Sequence, residues 1–443
     1  MSTTTLARPV IELSEYQRRR VAVPAPTEAD VRLAGKLMGD DTNGRLSVRW
    51  LAGGEVDVTA SSWVGVVRFA HVDVRVVPKL VGGALRVLRM LDYAAGVNML
   101  GRLPLNRPLP ANGSDLFDLI CLLLCQETEA LISDGLLQDY RATDDTLKVL
   151  RGRLRYRDQF MRQFGRVDRL ECHFDEYDSD TPDNQLVAVA LTVARRRAHD
   201  RGIRFTLARL AGVLTEACQP MTADADWYDA AIQYDRRNAR YRLAHELAKL
   251  VLRGLAFDDL YDTTGGNVTA FLIDMNAVFE RFATRLVRDA LAATPLRSSA
   301  QRRLRAVIRN DQTDRSYSTI TPDLVIEEIA TGRSVPVDIK YKAYDVRKIS
   351  TSDLYQSFLY AYALGDDPTE RRAGILYPAT TQTKAQRLSI KPLSGPTAAR
   401  IAGAGIDVPA ALDALGGPDR ASLLADVRRV VGVLTGLGEQ PGA

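Results

Sequence analysis

The sequence predicts an α+β protein of several domains, with a β-rich N-terminal part, a mainly helical middle and an α/β part toward the C-terminus. Its 443 residues are 46% hydrophobic and 26% charged, a globular composition long enough for two to four domains. Up to about residue 110, short runs of alternating apolar and polar residues are separated by turn signals, whereas a helical period of apolar residues starts near Ser114. Both patterns occur after about residue 271.

We therefore divide the chain into a β-rich segment 1–110, a mainly helical segment 111–270, an α/β segment 271–395 and a helical extension 396–443. In the first segment, the Gly53-Gly54 pair predicts a hairpin turn. The strands expected there from alternation are 46–51, 56–59, 63–69 and 72–79.

Helix signals begin with Ser114, which can cap the helix that follows it, and with Pro182, which suits a first helical turn. Apolar residues at helical spacing define the other helices. The helices expected from these signals are 115–132, 182–198, 205–218, 225–254, 274–292 and 351–364.

Four arginines alternate with other residues at positions 151, 153, 155 and 157, which would place them on one face of an extended segment. Such a row can bind phosphates. It can also form ion pairs with the acidic residues that follow between 171 and 183, and we favour this second interpretation slightly.

Composition excludes several classes of protein. The net charge is only +4, from 59 basic and 55 acidic residues, so the chain is not a generally basic nucleic-acid binder. It has no apolar run of membrane-spanning length, no signal peptide and only four cysteines, which predicts a cytoplasmic protein without a disulfide framework or membrane partner. It also lacks the GxxxxGK[ST] motif of P-loop nucleotide hydrolases.

The segment most informative for function is a predicted hairpin, residues 321–342, whose second strand ends in Asp338-Ile-Lys340. Because side chains alternate along a strand, Asp338 and Lys340 share one face, and Asp323 on the first strand can lie opposite Asp338. Two adjacent carboxylates favour a hard cation such as Mg²⁺, with Mn²⁺ as the alternative ion. A divalent ion beside a lysine suits phosphodiester hydrolysis.

Two flanking helices add further candidates. Glu280 lies off the apolar stripe of helix 274–292, where it could serve as an outer metal ligand or a base. Gln356 and Tyr360 are four residues apart and therefore share one face of helix 351–364. The candidate catalytic residues are thus Asp323, Asp338, Lys340, Glu280, Gln356 and Tyr360, with Asp323, Asp338 and Glu280 as the metal ligands.

The order of these motifs resembles the PD-(D/E)xK nucleases, with Pro322-Asp323, Asp338-Ile-Lys340 and a Gln-x-x-x-Tyr helix as in RecB-like and lambda-exonuclease-like members. The segments 271–280, 338–342 and 353–356 look like McrC, the nuclease subunit of McrBC modification-dependent restriction systems. The similarity also includes segments at 64–79, 150–153 and 174–184, so it covers roughly residues 45–380.

This resemblance implies a PD-(D/E)xK nuclease domain at 271–395 and a function as the Mg²⁺-dependent DNA endonuclease subunit of a type IV, McrBC-like restriction system in antiviral defence. It also implies a partner, a McrB-like AAA+ GTPase oligomer that recognises modified double-stranded DNA and whose GTPase this chain stimulates through its N-terminal region, residues 1–110.

Two alternatives belong to other functional classes. The chain could be an adaptor that activates the GTPase and does not need its nuclease site. It could also be a stand-alone RecB-like repair nuclease. The three polar groups that converge at Asp323, Asp338 and Lys340 favour a nuclease over an adaptor, and the resemblance of the N-terminal half to McrC argues against a stand-alone enzyme.

Overall fold

The computed structural model describes residues 9–39, 44–96, 116–220, 222, 224–254, 269–365, 371–379 and 385–437. The predicted boundary at residue 110 and the predicted cap Ser114 lie outside these ranges. The chain forms two compact units, one made of Met1–Arg102 with Leu272–Ala443 and one made of Leu103–Phe271. The predicted segments 1–110, 271–395 and 396–443 therefore contribute to a single unit.

The N-terminal part of the first unit contains two small sheets. Its elements are β1 (Val10–Ser14), β2 (Arg18–Ala22), α1 (Glu28–Met38), β3 (Leu46–Leu51), β4 (Glu55–Ala60), β5 (Trp63–Arg68), β6 (Asp73–Val77) and α2 (Ala84–Ala95). Strands β2, β4 and β3 form an antiparallel sheet, and α1 packs on β3. The four strands predicted in this part are confirmed to within two residues at each end, because their sequences alternate apolar and polar residues or are largely apolar.

The second unit, residues 103–271, combines a helical group with a small sheet. Its elements are α3 (Leu116–Ser133), β7 (Asp139–Leu147), β8 (Arg153–Leu154), α4 (Tyr156–Arg162), β9 (Leu170–Asp178), α5 (Pro182–Arg197), α6 (Arg201–Ala217), α7 (Ala225–Ala231) and α8 (Arg242–Gly254). Helices α3, α5, α6 and α8 pack on one another, and β9 lies between β7 and β8. All four cysteines of the chain lie buried in this unit as free thiols, as the sequence predicted.

The single helix predicted at 225–254 is wrong, since α7 ends at Ala231 and α8 begins at Arg242. Between them, the Asn238 side chain accepts a hydrogen bond from Asp235 N at 2.8 Å and donates to Gln233 O at 2.9 Å. Asn238 also donates to Asp183 at 3.0 Å. These local bonds satisfy the backbone in a turn and compete with the helical pattern.

The arginine row at 151–157 is also not one extended segment. Gly152 has a positive φ of 67°, and α4 starts at Tyr156, so the alternation is interrupted on both sides of β8. Arg151 lies 3.4 Å from Glu176, and Arg155 lies 3.2 Å from Asp144. The interpretation as ion pairs, partly with the acidic run, is therefore the one that the structure supports.

The chain returns to the first unit through β10 (Thr269–Asp274), which completes a four-stranded sheet in the order β1-β6-β5-β10. The remaining elements are α9 (Met275–Leu291), β11 (Leu296–Ala300), β12 (Leu304–Asn310), β13 (Arg315–Ile320), β14 (Leu324–Glu328), β15 (Ser334–Ile339), α10 (Thr351–Leu364), β16 (Arg372–Ala379), β17 (Gln386–Ile390), β18 (Ala399–Asp407), α11 (Val408–Leu415) and α12 (Arg420–Thr435).

A six-stranded sheet in the order β11-β14-β15-β16-β18-β17 forms the centre of this part. Strands β15, β16 and β18 are parallel, and the predicted hairpin at 321–342 is confirmed as the antiparallel pair β14–β15. Helix α10 packs on the face that carries Ile375, and α12 packs on the face that carries Gly374 and Val337. The mixed α+β class is confirmed.

The structure differs from the helical extension predicted for 396–443. Residues 399–407 form β18, which pairs with β16 along its whole length, and only α11 and α12 are helical. The small residues of this segment suggested a helix, but strand pairing on both sides of β18 decides the outcome. Among the described residues, no helix has the length and apolar character needed to cross a membrane.

Gly374 allows α12 to approach the sheet closely. A Cβ at this position would lie 2.9 Å from Leu434 Cβ and 3.1 Å from Val337 Cγ2. We expect Gly374→Ala to destabilise the protein by about 1–3 kcal/mol through overpacking. Chemical denaturation measures the loss as a lower transition midpoint.

Gly35→Ala is the matched control, because Gly35 lies in α1 of the same unit and a Cβ there meets nothing within 4 Å. This variant should gain roughly 0.5–1 kcal/mol from helix propensity. Equal midpoints for the two variants would show that α12 does not pack closely on β16.

Candidate active site

Asp338 and Asp323 lie together where strands β15 and β14 meet. Asp338 is buried, with 2% of its surface exposed, and it follows Val337, which pairs with Leu324 in the hairpin register. Asp323 immediately precedes β14 and accepts a hydrogen bond of 2.7 Å from Ile339 N. The hairpin register therefore brings the two carboxyl groups together, as period-2 geometry requires.

Burial determines the electrostatics of this pair. It raises the pKa of Asp338 to about 7, and the neighbouring Asp323 carboxyl adds to this rise while Lys340 opposes it. Burial also raises the pKa of Asp323, although the Ile339 amide that donates to its carboxylate lowers it. Two buried carboxylates side by side resist ionising together, which is the condition that a divalent cation relieves.

Lys340 connects the carboxylates to helix α10. Its Nζ lies 2.9 Å from Asp338 Oδ2 and donates to Gln356 Oε1 at 3.0 Å. Gln356 Nε2 in turn donates to Tyr360 Oη at 2.7 Å, and Tyr360 donates to Thr321 O at 3.4 Å. Burial would lower the pKa of Lys340, but the carboxylates of Asp338 and Asp323 raise it above its ordinary value, so the amine is held as a cation.

Glu280 lies at the edge of this group. Its carboxylate accepts a 2.6 Å hydrogen bond from Gln301 Nε2, and Gln301 N donates to Asp323 O at 3.0 Å. Glu280 is also close enough that its charge raises the pKa of Asp323. In the part of the chain that the structure describes, no three His, Cys, Asp or Glu side chains are placed to hold one metal ion, so the ligand role of Glu280 stays a prediction.

The residues present nevertheless fit a magnesium ion. Asp338 Oδ2 is buried and lies 2.9 Å from the Lys340 ammonium. Asp323 and Asp338 set two carboxylates against this one positive charge, so the pair can still accept a cation. Proteins commonly bind Mg²⁺ through one or two carboxylates, while water and substrate phosphate complete its octahedron, so Asp323 and Asp338 are a sufficient protein ligand set.

The sequence did not single out several residues that support this site. Gln301, which joins Glu280 to Asp323, adopts a positive φ of 51° and lies outside every motif. Lys342 Nζ lies 2.7 Å from Asp353 Oδ2, and Tyr344 also donates to that carboxylate. Lys342 and Asp353 lie in the segments 338–342 and 353–356 that carry the family resemblance, but no motif assigned either of them a role.

Tyr341, between the two lysines, is held by the N-terminal part of the same unit. Its hydroxyl donates to Glu15 Oε1 at 2.8 Å, and Glu15 also accepts from Lys79 N and Leu80 N. Tyr16 Oη donates to Tyr341 O at 3.1 Å. The segment that carries Lys340 is therefore fixed on one side by α10 and on the other by residues 15–16.

The raised pKa of Asp338 predicts a pH-dependent stability in the absence of metal. Its folded-state pKa of about 7 exceeds its ordinary value of 3.8, so the folded protein holds the proton more tightly than the unfolded chain does. The stability that this proton contributes is fully present below about pH 4 and is lost as pH rises through 7. Measured in EDTA, the melting temperature should fall between pH 5 and pH 8.

Asp338→Asn should reduce this fall in melting temperature by roughly 2–4 °C, which corresponds to at least about 1 kcal/mol of unfolding free energy, because an amide does not ionise. The exposed Asp314→Asn is the control and should melt like the unsubstituted protein at both pH values. Parallel pH profiles for Asp338→Asn and the unsubstituted protein would contradict the expected burial of this charge.

Comparison with known proteins identifies the family. A sequence model of the McrBC 5-methylcytosine restriction system component family matches residues 58–378. No curated protein matches the chain. A structure of Thermococcus gammatolerans McrB AAA+ hexamers with bound McrC contains a chain 19% identical to this one, with a TM-score of 0.56 over 96% of this chain and 99% of that chain.

A cryo-EM structure of the Thermococcus gammatolerans McrBC complex matches at 22% identity and a TM-score of 0.44, over 64% of this chain and 89% of that chain. At 19% identity, the similarity to the McrB–McrC assembly shows a common fold. The family model covers well over half of the sequence. The chain therefore belongs to the McrBC 5-methylcytosine restriction system component family.

Proposed function

We propose that this chain is the nuclease subunit of its restriction system, a Mg²⁺-dependent endonuclease that hydrolyses phosphodiester bonds in modified double-stranded DNA. The observation that carries the proposal is the group Asp323, Asp338 and Lys340, in which two adjacent carboxylates, one of them fully buried, share a single ammonium. Two carboxylates beside one cation leave a net negative charge that a divalent ion would neutralise, so this arrangement supports a PD-(D/E)xK nuclease domain.

Asp323 and Asp338 would hold Mg²⁺, or Mn²⁺ in its place, which supplies Lewis acidity to the scissile phosphate and the attacking water. Lys340 contributes a fixed positive charge. Its raised pKa keeps it protonated near neutral pH, so it stabilises the negative charge that develops on the phosphate rather than removing a proton. The hydrolysis forms a bond from the water oxygen to phosphorus and breaks one P–O ester bond.

Gln356 and Tyr360 act through Lys340. Gln356 receives the ammonium on its carbonyl oxygen and is itself held by Tyr360, so the pair fixes the direction of Nζ. Glu280 can become the third metal ligand when its hydrogen bond to Gln301 opens. Until then it positions the backbone of Asp323 through Gln301.

The partner in this proposal is an AAA+ GTPase oligomer. The support is the fold shared with a McrC bound to McrB AAA+ hexamers, together with the absence of a P-loop motif from this chain. A nuclease without its own motor, whose net charge is only +4, depends on a partner to deliver DNA.

Two regions are candidates for partner contact. The sequence assigned it to residues 1–110, but Glu15 and Tyr16 support the segment that follows Lys340, so deleting this region would also disturb the nuclease part. The second unit exposes a group of large apolar side chains, which in water is typical of a protein-binding surface. They are Val149, Leu150, Tyr156, Phe160, Met161, Phe164 and Val167.

Alanine substitution of Asp323, Asp338 or Lys340 should reduce DNA cleavage at least about a hundredfold, because each serves the ion or the developing charge. Gln356→Ala should cost about 10–100-fold as the loss of a positioning contact. Cleavage of methylated DNA is measured with the AAA+ partner, GTP and Mg²⁺, and EDTA should stop it.

Lys391→Ala, an exposed lysine beyond β17, is the control for Lys340→Ala. Unchanged cleavage in all three variants with intact GTPase stimulation would favour the adaptor alternative. Strong cleavage of unmodified DNA by the chain without its partner would favour the stand-alone nuclease.

Substitution of Phe160 and Phe164 tests the docking surface. Their rings are 5.0 Å apart and 66% and 74% exposed. The double substitution Phe160→Asp with Phe164→Asp should lower GTPase stimulation at least about tenfold, because aromatic side chains that become buried in an interface commonly contribute roughly 2 kcal/mol or more to binding. The melting temperature should stay unchanged, because both side chains are exposed in this chain.

Phe205→Asp is the matched control, because Phe205 is 73% exposed on α6 of the same unit. If the double variant stimulates the GTPase as well as the control does, partner contact belongs to the N-terminal region instead.

A further inference from the structure

A cavity of about 830 Å³ opens beside the segment that leaves β15. Its walls come from three stretches of the first unit, residues 14–17, residues 79–80 and residues 342–350. None of the predicted catalytic residues lines it. A volume of this size accommodates a nucleotide-sized group, since small-molecule sites typically span about 300–1,000 Å³.

Among the charged residues that line the cavity, the basic ones outnumber the acidic ones. Lys79, Lys342, Arg347 and Lys348 line it, against Glu15 and Asp345. Glu15 is buried and accepts hydrogen bonds from Tyr341 and two backbone amides, and Asp345 is half-buried and already has an interaction partner. The two acidic groups are therefore engaged within the protein.

Three of the basic side chains remain available to a ligand. Lys342 is paired with Asp353, but Lys79, Arg347 and Lys348 are exposed, and the described residues offer them no ion pair. They come from two separate stretches of chain that border the same cavity. Several cations around one space favour an anion with several negative groups.

The cavity lies close to the proposed active site along the backbone. Lys342 lies two residues after Lys340, a separation of at most about 7 Å along an extended chain. The intervening Tyr341 is fixed by Glu15, and its carbonyl oxygen accepts from Tyr16, which itself lines the cavity. Lys340 and three of the four basic residues of the cavity therefore lie within one short stretch of chain.

We propose that this cavity binds the sugar–phosphate backbone of the DNA strand next to the scissile phosphate, with Lys79, Arg347 and Lys348 as the phosphate contacts. The inference rests on the proposed nuclease function and adds a substrate-positioning site to it. Contacts of this kind fix the register of DNA without reading its sequence, which suits a subunit whose partner recognises the modification.

The test measures DNA binding without cleavage. Fluorescence anisotropy with a labelled duplex is recorded for the full chain in EDTA over a series of salt concentrations. Each phosphate contact contributes about 0.9 to the slope of log K against log salt. Arg347→Gln with Lys348→Gln should therefore reduce the slope by about 1.8, and Lys79→Gln alone, on the other wall, by about 0.9.

Arg387→Gln with Lys391→Gln is the matched control, one arginine and one lysine at exposed positions. Both lie on or just beyond β17, at positions that alternate with Leu388 and Ile390, which pack toward Tyr344, so they point away from the cavity side. The control should keep the full slope. Equal slopes for the cavity and control variants would overturn the proposal, as would an unchanged slope in Lys79→Gln.

The result is separable from the nuclease assignment, because binding in EDTA requires no metal. If the cavity variants show a reduced slope but Asp338→Ala still cleaves DNA, the proposed DNA-binding cavity stands and the proposed catalytic residues are rejected. Normal slopes together with loss of cleavage in Asp338→Ala would reject only the cavity.

Discussion

The site depends on one constraint, the burial of the Asp338 carboxyl inside the six-stranded sheet. A charged group in that position is unfavourable unless a cation compensates it. Lys340, two residues further along the chain and just past the end of β15, supplies part of the compensation, and α10 supplies the amide that holds Lys340. The β14–β15 hairpin, the parallel strand β16 and helix α10 together hold these charged side chains in one geometry.

The same constraint explains why residues far apart in sequence support one short segment. Residues 340–344 form no strand, although Lys340 N still donates to Leu376 O of β16 at 2.9 Å, so side chains supply much of what fixes the segment beyond it. Glu15 and Tyr16 hold Tyr341, while Asp353 holds Lys342 and Tyr344. Because this segment is held from two sides, the backbone of Lys340 stays in place and the position of its ammonium does not depend on the flexible side chain alone.

Much of the fold could be predicted from local patterns. The hairpin β14–β15 and helix α10 were predictable because alternation and helical spacing are strong there, and the candidate residues Asp323, Asp338, Lys340, Gln356 and Tyr360 are in fact close together. Their catalytic roles remain predictions.

The rest depends on interactions that no local pattern contains. Strand β18 is defined by its two neighbours in the sheet, and the break after α7 is defined by the side chain of Asn238. The role of Gln301 follows from a loop conformation with positive φ, and the hydrogen bond of Glu15 to Tyr341 joins residues 326 positions apart. Periodicity cannot reveal contacts of that separation.

That last separation has a consequence for synthesis. Ribosomes add roughly 5–20 residues per second, so Glu15 emerges on the order of 15–65 s before Tyr341 exists. For most of this interval the sheet of β1, β6 and β5 lacks β10, and for all of it the hydroxyl that later donates to the buried Glu15 carboxylate is missing. The second unit, whose residues lie between the two parts of the first, can complete its own core earlier. The first unit of the nascent chain therefore stays unfinished until residue 341 has been made, well after the second unit is complete, which delays formation of the proposed active site.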